Sequence, residues 1–160
     1  MTFALTNKPW SLLGAAFLLS TLGFAQAQNT AQDNKATAAD AENMVSKGAT
    51  ALRAQGWQAL VEMTAPRKTF VDRDLYLTVY DLKGKCKAHG QNPKQVAKNL
   101  INIKDPDGKL YVKERVELSK TQKSFWQEYK YTNPVTKLVQ TKQAYCEKVD
   151  ELLVCGGIYK

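Results

Sequence analysis

Apolar residues recur through the first part of the chain at close to helical spacing. Val45, Ala49, Leu52, Leu60 and Met63 fall near one face, with Trp57 beside that stripe. Thr37 followed by Asp40 has the form of a capping box, with aspartate in place of the preferred glutamate. The pattern predicts one long helix over about 38–63, ended before Pro66 and locally weakened by Gly48 and Gly56. Its apolar face reads as core.

The period then changes. Leu75 to Tyr80 (LYLTVY) is rich in β-branched and aromatic residues and reads as a strand. Asp81-Leu82-Lys83-Gly84 follows as a turn, and Lys85 to His89 returns as the second strand of a hairpin. Pro93 opens a short helical turn through Val96, Lys104 to Gly108 (KDPDG) forms a loop, and a helix runs over roughly Leu110 to Ser119. Phe125 to Tyr131, Val139 to Val149 and Leu152 to Tyr159 read as three further strands. Thr132 to Thr136 (TNPVT) turns the chain between the first two, and Asp150-Glu151 between the last two. The order predicts an α+β domain, an antiparallel sheet with helices packed against one face. No long linker or internal repeat suggests a second domain.

The N-terminal stretch combines Lys8, a largely apolar run from Ser11 to Ala25, and the small-x-small sequence Ala25-Gln26-Ala27. That is the form of a secretory leader cleaved after Ala27. A retained anchor is the alternative. However, the run is short for a span of about 20 residues, and no basic stop-transfer cluster follows it. The expected organisation is a signal peptide over 1–27 and one domain over 28–160, long enough for a modest core. The expected location is the periplasm or outside the cell.

The whole chain carries a formal charge of +8. Residues 28–80 hold six basic and six acidic side chains, whereas 81–160 hold sixteen and nine. This bias suits an acidic small molecule, an acidic partner or an anionic surface. Export and the lack of any recognised motif argue against nucleic acid. Three cysteines remain. A turn at Asp150-Glu151 sets Cys146 opposite Cys155 and makes them the default disulfide, with Cys86–Cys155 as the competing pair. With no CxxC and a single histidine, a structural zinc site is not expected.

That histidine, His89, closes the strand Lys85–His89 and can donate or accept a hydrogen bond. Ligand contact and a structural hydrogen bond both suit it better than catalysis. No GxSxG, P-loop, HExxH or dinucleotide fingerprint accompanies it. Simple strand alternation places Cys86 and His89, three residues apart, on opposite faces, which argues against a Cys-His nucleophile. The aromatic residues around 125–131 and Tyr145 divide by the same alternation. Half serve the sheet core, and those beside His89 are left to line a pocket.

Three segments carry a resemblance: VYDLKGKCKAHGQNPKQVAKNLINIKDPDGKLYVKE, FWQEYKYTNPVTKLVQTKQAYCEKV and ELLVCGGIYK. Over about Met44 to Lys160 the chain resembles the small extracytoplasmic single-Cache proteins, the Cache type 2 branch related to PAS sensory domains. The matching features are Tyr80-Asp81, Ala88 to Gly90, Asn92-Pro93, Lys104 to Gly108, and Trp126 through Pro134. The resemblance implies a PAS-like single Cache domain with a long N-terminal helix and a five-stranded antiparallel sheet. It also implies a pocket for small molecules, often carboxylates or amino acids. On that basis His89, Trp126, Tyr129 and Tyr145 are the best pocket candidates, with Tyr80 and Lys142 beside them. Trp126 and Tyr129 would form the wall, His89 and Tyr145 the polar handles, and Lys142 the countercharge.

Two departures stand out. Tyr131-Thr132-Asn133-Pro134 replaces the more familiar tryptophan-proline-asparagine-proline pattern, and Cys146 is an addition to the usual framework, which leaves the disulfide open. The sequence closes on GGIYK without a membrane helix or a signalling module, so the resemblance implies binding better than signalling. The expected function is an exported domain that binds a small anionic molecule or amino acid, an accessory sensor for a membrane-receptor partner. No catalytic residue, metal or cofactor is assigned. The alternative is an exported structural or protein-interaction module without a specific ligand.

Overall fold

A computed structural model describes residues 35–65 and 69–160; the expected signal peptide lies outside the described residues. The first helix, α1, spans Ala38–Gln55. Its capping box forms as the sequence suggests: the Thr37 hydroxyl accepts from the Asp40 N–H at 3.2 Å, and the Asp40 carboxylate accepts from the Thr37 N–H at 2.9 Å. The predicted single helix is, however, two. Gly56 adopts φ 58° and ψ −124°, ends α1, and starts α2 over Trp57–Thr64. A positive φ carries little cost for glycine because it lacks Cβ, so the break falls there. The interruption lets α2 turn onto β3 while α1 lies across β2, β5 and β6.

The strands are β1 (Val71–Asp72), β2 (Leu75–Asp81), β3 (Cys86–His89), β4 (Ser124–Thr132), β5 (Val139–Val149) and β6 (Leu152–Tyr159). They pair antiparallel in the order β1-β2-β6-β5-β4, with β3 also on β2. The short strands β1 and β3 follow one another along the outer edge of β2, so a sixth strand adds no sixth rank to the expected five.

Alternation divides the sheet into two packed faces. On one, Leu77, Val79 and Val154 meet Val45, Ala49 and Leu52 of α1. Gly48 allows close contact there, since a Cβ would stand 2.5 Å from Leu77 Cδ1. On the other face, Tyr80, Tyr129 and Ala144 meet α3 (Tyr111–Leu118) through Tyr111 and Val112. Helices therefore cover both faces, not one. A single apolar face on α1 satisfies only half of a sheet whose β2 is buried along most of its length.

The β2–β3 hairpin corrects a second expectation. Tyr80 pairs with Cys86, Val79 with Ala88 and Thr78 with His89, which leaves Lys87 as an extra residue in a bulge. One inserted residue reverses the alternation, so Cys86 and His89 share the α3 face with Tyr80 and Thr78. Cys146 and Cys155 are opposite partners across β5–β6 and form the disulfide, with Cα atoms 4.1 Å apart. Cys86 is free and buried, and burial pushes its thiol up to about 11. That is not an activated nucleophile.

Candidate ligand site

The acidic turn residues singled out in the sequence build the frame of the site. Asp81 accepts from the N–H groups of Lys83 and Lys85 and shapes the β2–β3 turn. Asp105 accepts from Asp107, Lys109 and, at 2.9 Å, Lys130 of β4. This ties the KDPDG loop to the sheet edge and delivers α3 across the face that carries Tyr80, Tyr129 and Lys142.

Arg115 of α3 is the largest of the fully buried side chains among the described residues. Gln127 Oε1 accepts from its Nε at 3.2 Å, and Gln127 Nε2 donates to the Tyr111 carbonyl at 2.8 Å, which holds the amide in orientation. The guanidinium carbon lies 5.3 Å from the Tyr80 ring centre, 5.5 Å from Tyr129 and 5.9 Å from Tyr111. Nη1 and Nη2 are buried and make no hydrogen bond of normal geometry among the described residues, although the Tyr129 phenol lies close enough to favour the guanidinium charge. A guanidinium keeps its charge in proteins, and buried donors left open are costly. This pair is the most unusual feature of the face.

Lys142, from the middle of β5, is also buried. Its ammonium lies 3.7 Å from the Tyr76 ring centre, 4.8 Å from Tyr159 and 5.8 Å from Tyr131. The alkyl chain crosses β6 at Gly157, where a Cβ would come within 2.5 Å of Lys142 Cε. Burial first, and the positive Arg115 second, push the ammonium well below its ordinary range, while the Asp74 carboxylate acts the other way. Asp74 is itself engaged, accepting from the Ala36 N–H and from Asn133 Nδ2, each at 3.3 Å.

His89 stacks on Tyr76 with ring centres 5.3 Å apart. Its Nδ1 accepts from the N–H groups of Gln91, at 3.3 Å, and Asn92, at 3.0 Å. These two donors require the neutral tautomer that carries its proton on Nε2. Burial, and then the positive charge of Lys142, bring the imidazole down to about 4. Burial likewise raises the phenols of Tyr76, Tyr80, Tyr111 and Tyr159, which stay protonated. Two basic side chains, a neutral imidazole donor and several phenols thus converge in an aromatic wall, a donor set complementary to a small anion.

Of the residues expected from sequence, Tyr80, His89, Tyr129 and Lys142 lie together on this face. Trp126 and Tyr145 do not. They are opposite partners on β4 and β5 with rings 5.3 Å apart on the α1 side. The indole of Trp126 donates to Glu42 of α1 at 3.3 Å, and Tyr145 packs against the α1 core. The sequence reading missed Tyr76, Arg115, Tyr111, Tyr131 and Tyr159. Period-two spacing linked Tyr76 to Tyr80 and Tyr129 to Tyr131, and i,i+4 spacing linked Tyr111 to Arg115.

With this arrangement in view, the decisive match is to the family described as Single Cache domain 2 (sCache_2), over residues 21–159. The chain belongs to that family. Cache domains are ligand-binding sensory modules, typically non-catalytic. This Cache domain is similar in fold to a methyl-accepting chemotaxis protein from Vibrio parahaemolyticus, at 19% identity and TM-score 0.66, covering 76% of this chain and 86% of that one. It is similar to a periplasmic sensor domain of a chemotaxis protein, at 21% identity and TM-score 0.60, covering 83% and 99%. A third likeness is to a Cache chemosensory domain described for carboxylic acid recognition, at 21% identity and TM-score 0.64, covering 84% and 99%. No curated protein matches this Cache domain in sequence. No helix among the described residues is long and apolar enough to cross a membrane.

Proposed function

We propose that this Cache domain binds a small carboxylate, with Arg115 and Lys142 supplying the charge and His89 and the surrounding tyrosines completing the contacts. The observation that carries the reading is the pair of buried, open Nη donors on Arg115. A carboxylate satisfies both at once through charge-assisted hydrogen bonds, which are the stronger class. The described relative that recognises carboxylic acids supports the same class of ligand. An amino acid is disfavoured. Its ammonium needs an acceptor, and the acid beside Lys142, Asp74, already accepts from Ala36 and Asn133.

The domain acts in the periplasm or outside the cell, released after Ala27 of its leader, and serves as an accessory sensor for a membrane receptor. The exposed Trp57 and Val61 on α2 suit contact with such a partner. Isothermal titration with acetate, propionate and glycine tests the ligand assignment. Saturable binding of a short carboxylate, with glycine silent, is the expected result. A folded protein that ignores the carboxylates, or prefers glycine, overturns it.

A further inference from the structure

We propose that Lys142 is a nucleophilic amine toward a short 2-oxo acid, forming a reversible imine while Arg115 holds the carboxylate. This rests on the carboxylate reading of the site and adds a covalent step to it. Such an acid carries its carbonyl on the carbon next to its carboxylate. One small molecule therefore addresses two neighbouring groups.

Three features place the amine for this chemistry. Tyr129 is the cross-strand partner of Lys142 and also carries Arg115 over its ring at 5.5 Å, so one residue borders both basic groups. The Lys142 side chain is held by Gly157 below it and by the rings of Tyr76 and Tyr159, so its nitrogen is fixed in place. No ion pair engages the ammonium among the described residues. An amine surrounded by ring faces rather than carboxylates gives up its proton more readily.

The groups facing Lys142 act in the same direction on balance. Arg115 from α3 opposes its charge, and burial opposes it more, while Asp74 favours it. The Tyr76 ring face stabilises the ammonium and so acts on the side of Asp74. A free-base fraction is the nucleophile in known lysine imine chemistry, and desolvation beside another cation is a general way to raise that fraction.

The step balances without an oxidant or reductant. The Nζ lone pair bonds to the carbonyl carbon as the C=O π pair moves to oxygen, and a proton passes from nitrogen to that oxygen. The resulting carbinolamine loses its hydroxyl together with the remaining N–H proton as water, and the nitrogen lone pair forms the C=N bond. Hydrolysis by water reverses the sequence and frees the 2-oxo acid.

The test uses pyruvate with sodium cyanoborohydride, which reduces an imine to a stable secondary amine, followed by intact mass and peptide mapping. Propionate titration on the same preparation reports the carboxylate site independently. The expected result is a single adduct of pyruvate less one oxygen atom, located on Lys142 and suppressed by propionate. Because Arg115 holds the carboxylate beside the amine, Lys142 should label about tenfold or more faster than the surface lysines. Propionate binding with Lys142 labelled no faster than surface lysines overturns the imine and leaves the carboxylate site standing. Failure of both pyruvate and propionate to bind removes the carboxylate reading and the imine together.

Discussion

The Lys142 ammonium and the Tyr76 ring are in face contact, 3.7 Å from nitrogen to ring centre, inside the sheet face that α3 covers. Tyr76 also stacks on His89, so one ring supports two polar groups of the site. Replacing it separates ring from hydroxyl. Tyr76→Phe keeps the ring and should cost about 1 kcal/mol for the hydrogen bond its hydroxyl shares with Tyr159. Tyr76→Leu also removes the cation–π contact and should cost about 2 kcal/mol more. Urea denaturation of the two variants reads the difference directly, and equal midpoints would show that the ring face contributes nothing.

Arg115→Met should separate stability from binding. The change removes a buried charge with two open donors and keeps an unbranched side chain. Replacing a buried charged group with an apolar one of similar volume is often neutral or stabilising by about 1–4 kcal/mol. Carboxylate affinity should fall by about tenfold or more, equal to roughly 1.4 kcal/mol. Thermal unfolding and titration of one preparation check both halves. A variant that unfolds at lower temperature and still binds would assign Arg115 to the core.

His89 makes stability depend on pH. Its folded value, about 4, lies below the ordinary 6.5, so the unfolded chain takes up the proton first. The contribution is whole above pH 6.5 and is lost as pH falls toward 4, about 3 kcal/mol at the outside. His89→Gln should flatten that part of the stability curve. Urea midpoints for both proteins at several values across this window give the comparison.

Reduction of Cys146–Cys155 should loosen the terminal hairpin. A bridge closing a loop of nine residues contributes about 2.5 kcal/mol by chain entropy. The double variant Cys146→Ala, Cys155→Ala should lose about that much. Peptide mapping without reductant should recover the 146–155 pair, with Cys86 alkylated only after unfolding.

Gly157→Ala should act on the ligand through Lys142. The added methyl meets Lys142 Cε at 2.5 Å and the Gln143 carbonyl oxygen at 3.0 Å, the second a backbone atom with little room to yield. Overpacking of this kind costs about 1–3 kcal/mol. Carboxylate affinity should drop as well, because Lys142 must leave its place between Tyr76 and Tyr159. Unchanged affinity would mean that the ammonium position is immaterial to binding.

Much of the fold could be read directly. The bounds of β5 and β6, the capping box at Thr37 and the Cys146–Cys155 register all follow from local pattern, because each is decided by neighbours in sequence. The site was only half legible. Alternation shows that Lys142, Ala144 and Cys146 share a face and that Tyr145 cannot join them, and likewise separates Tyr129 from Trp126. It does not say which face receives α3, and so it does not by itself rank Arg115 or Tyr76. Gly56 looked like a weak point within one helix because propensity prices a residue, whereas a positive φ redirects the chain.

Lys87 is the extra residue in the β3 bulge, and the pairing of its neighbours with β2 does not use it. Its own side chain is half-buried against α2 and plays no part among the donors. Counting matters here more than chemistry. Exchanging Lys87 for another residue keeps the parity of the hairpin and leaves His89 facing Tyr76. Deleting it would bring Cys86 and Ala88 into direct succession opposite Tyr80 and Val79, a regular ladder that still sets His89 opposite Thr78 on the face of Tyr76. The surplus is thus absorbed where it arises: gained or lost at this point it leaves the ligand side of the strand as it is, whereas a residue inserted between Ala88 and His89 would turn the imidazole away.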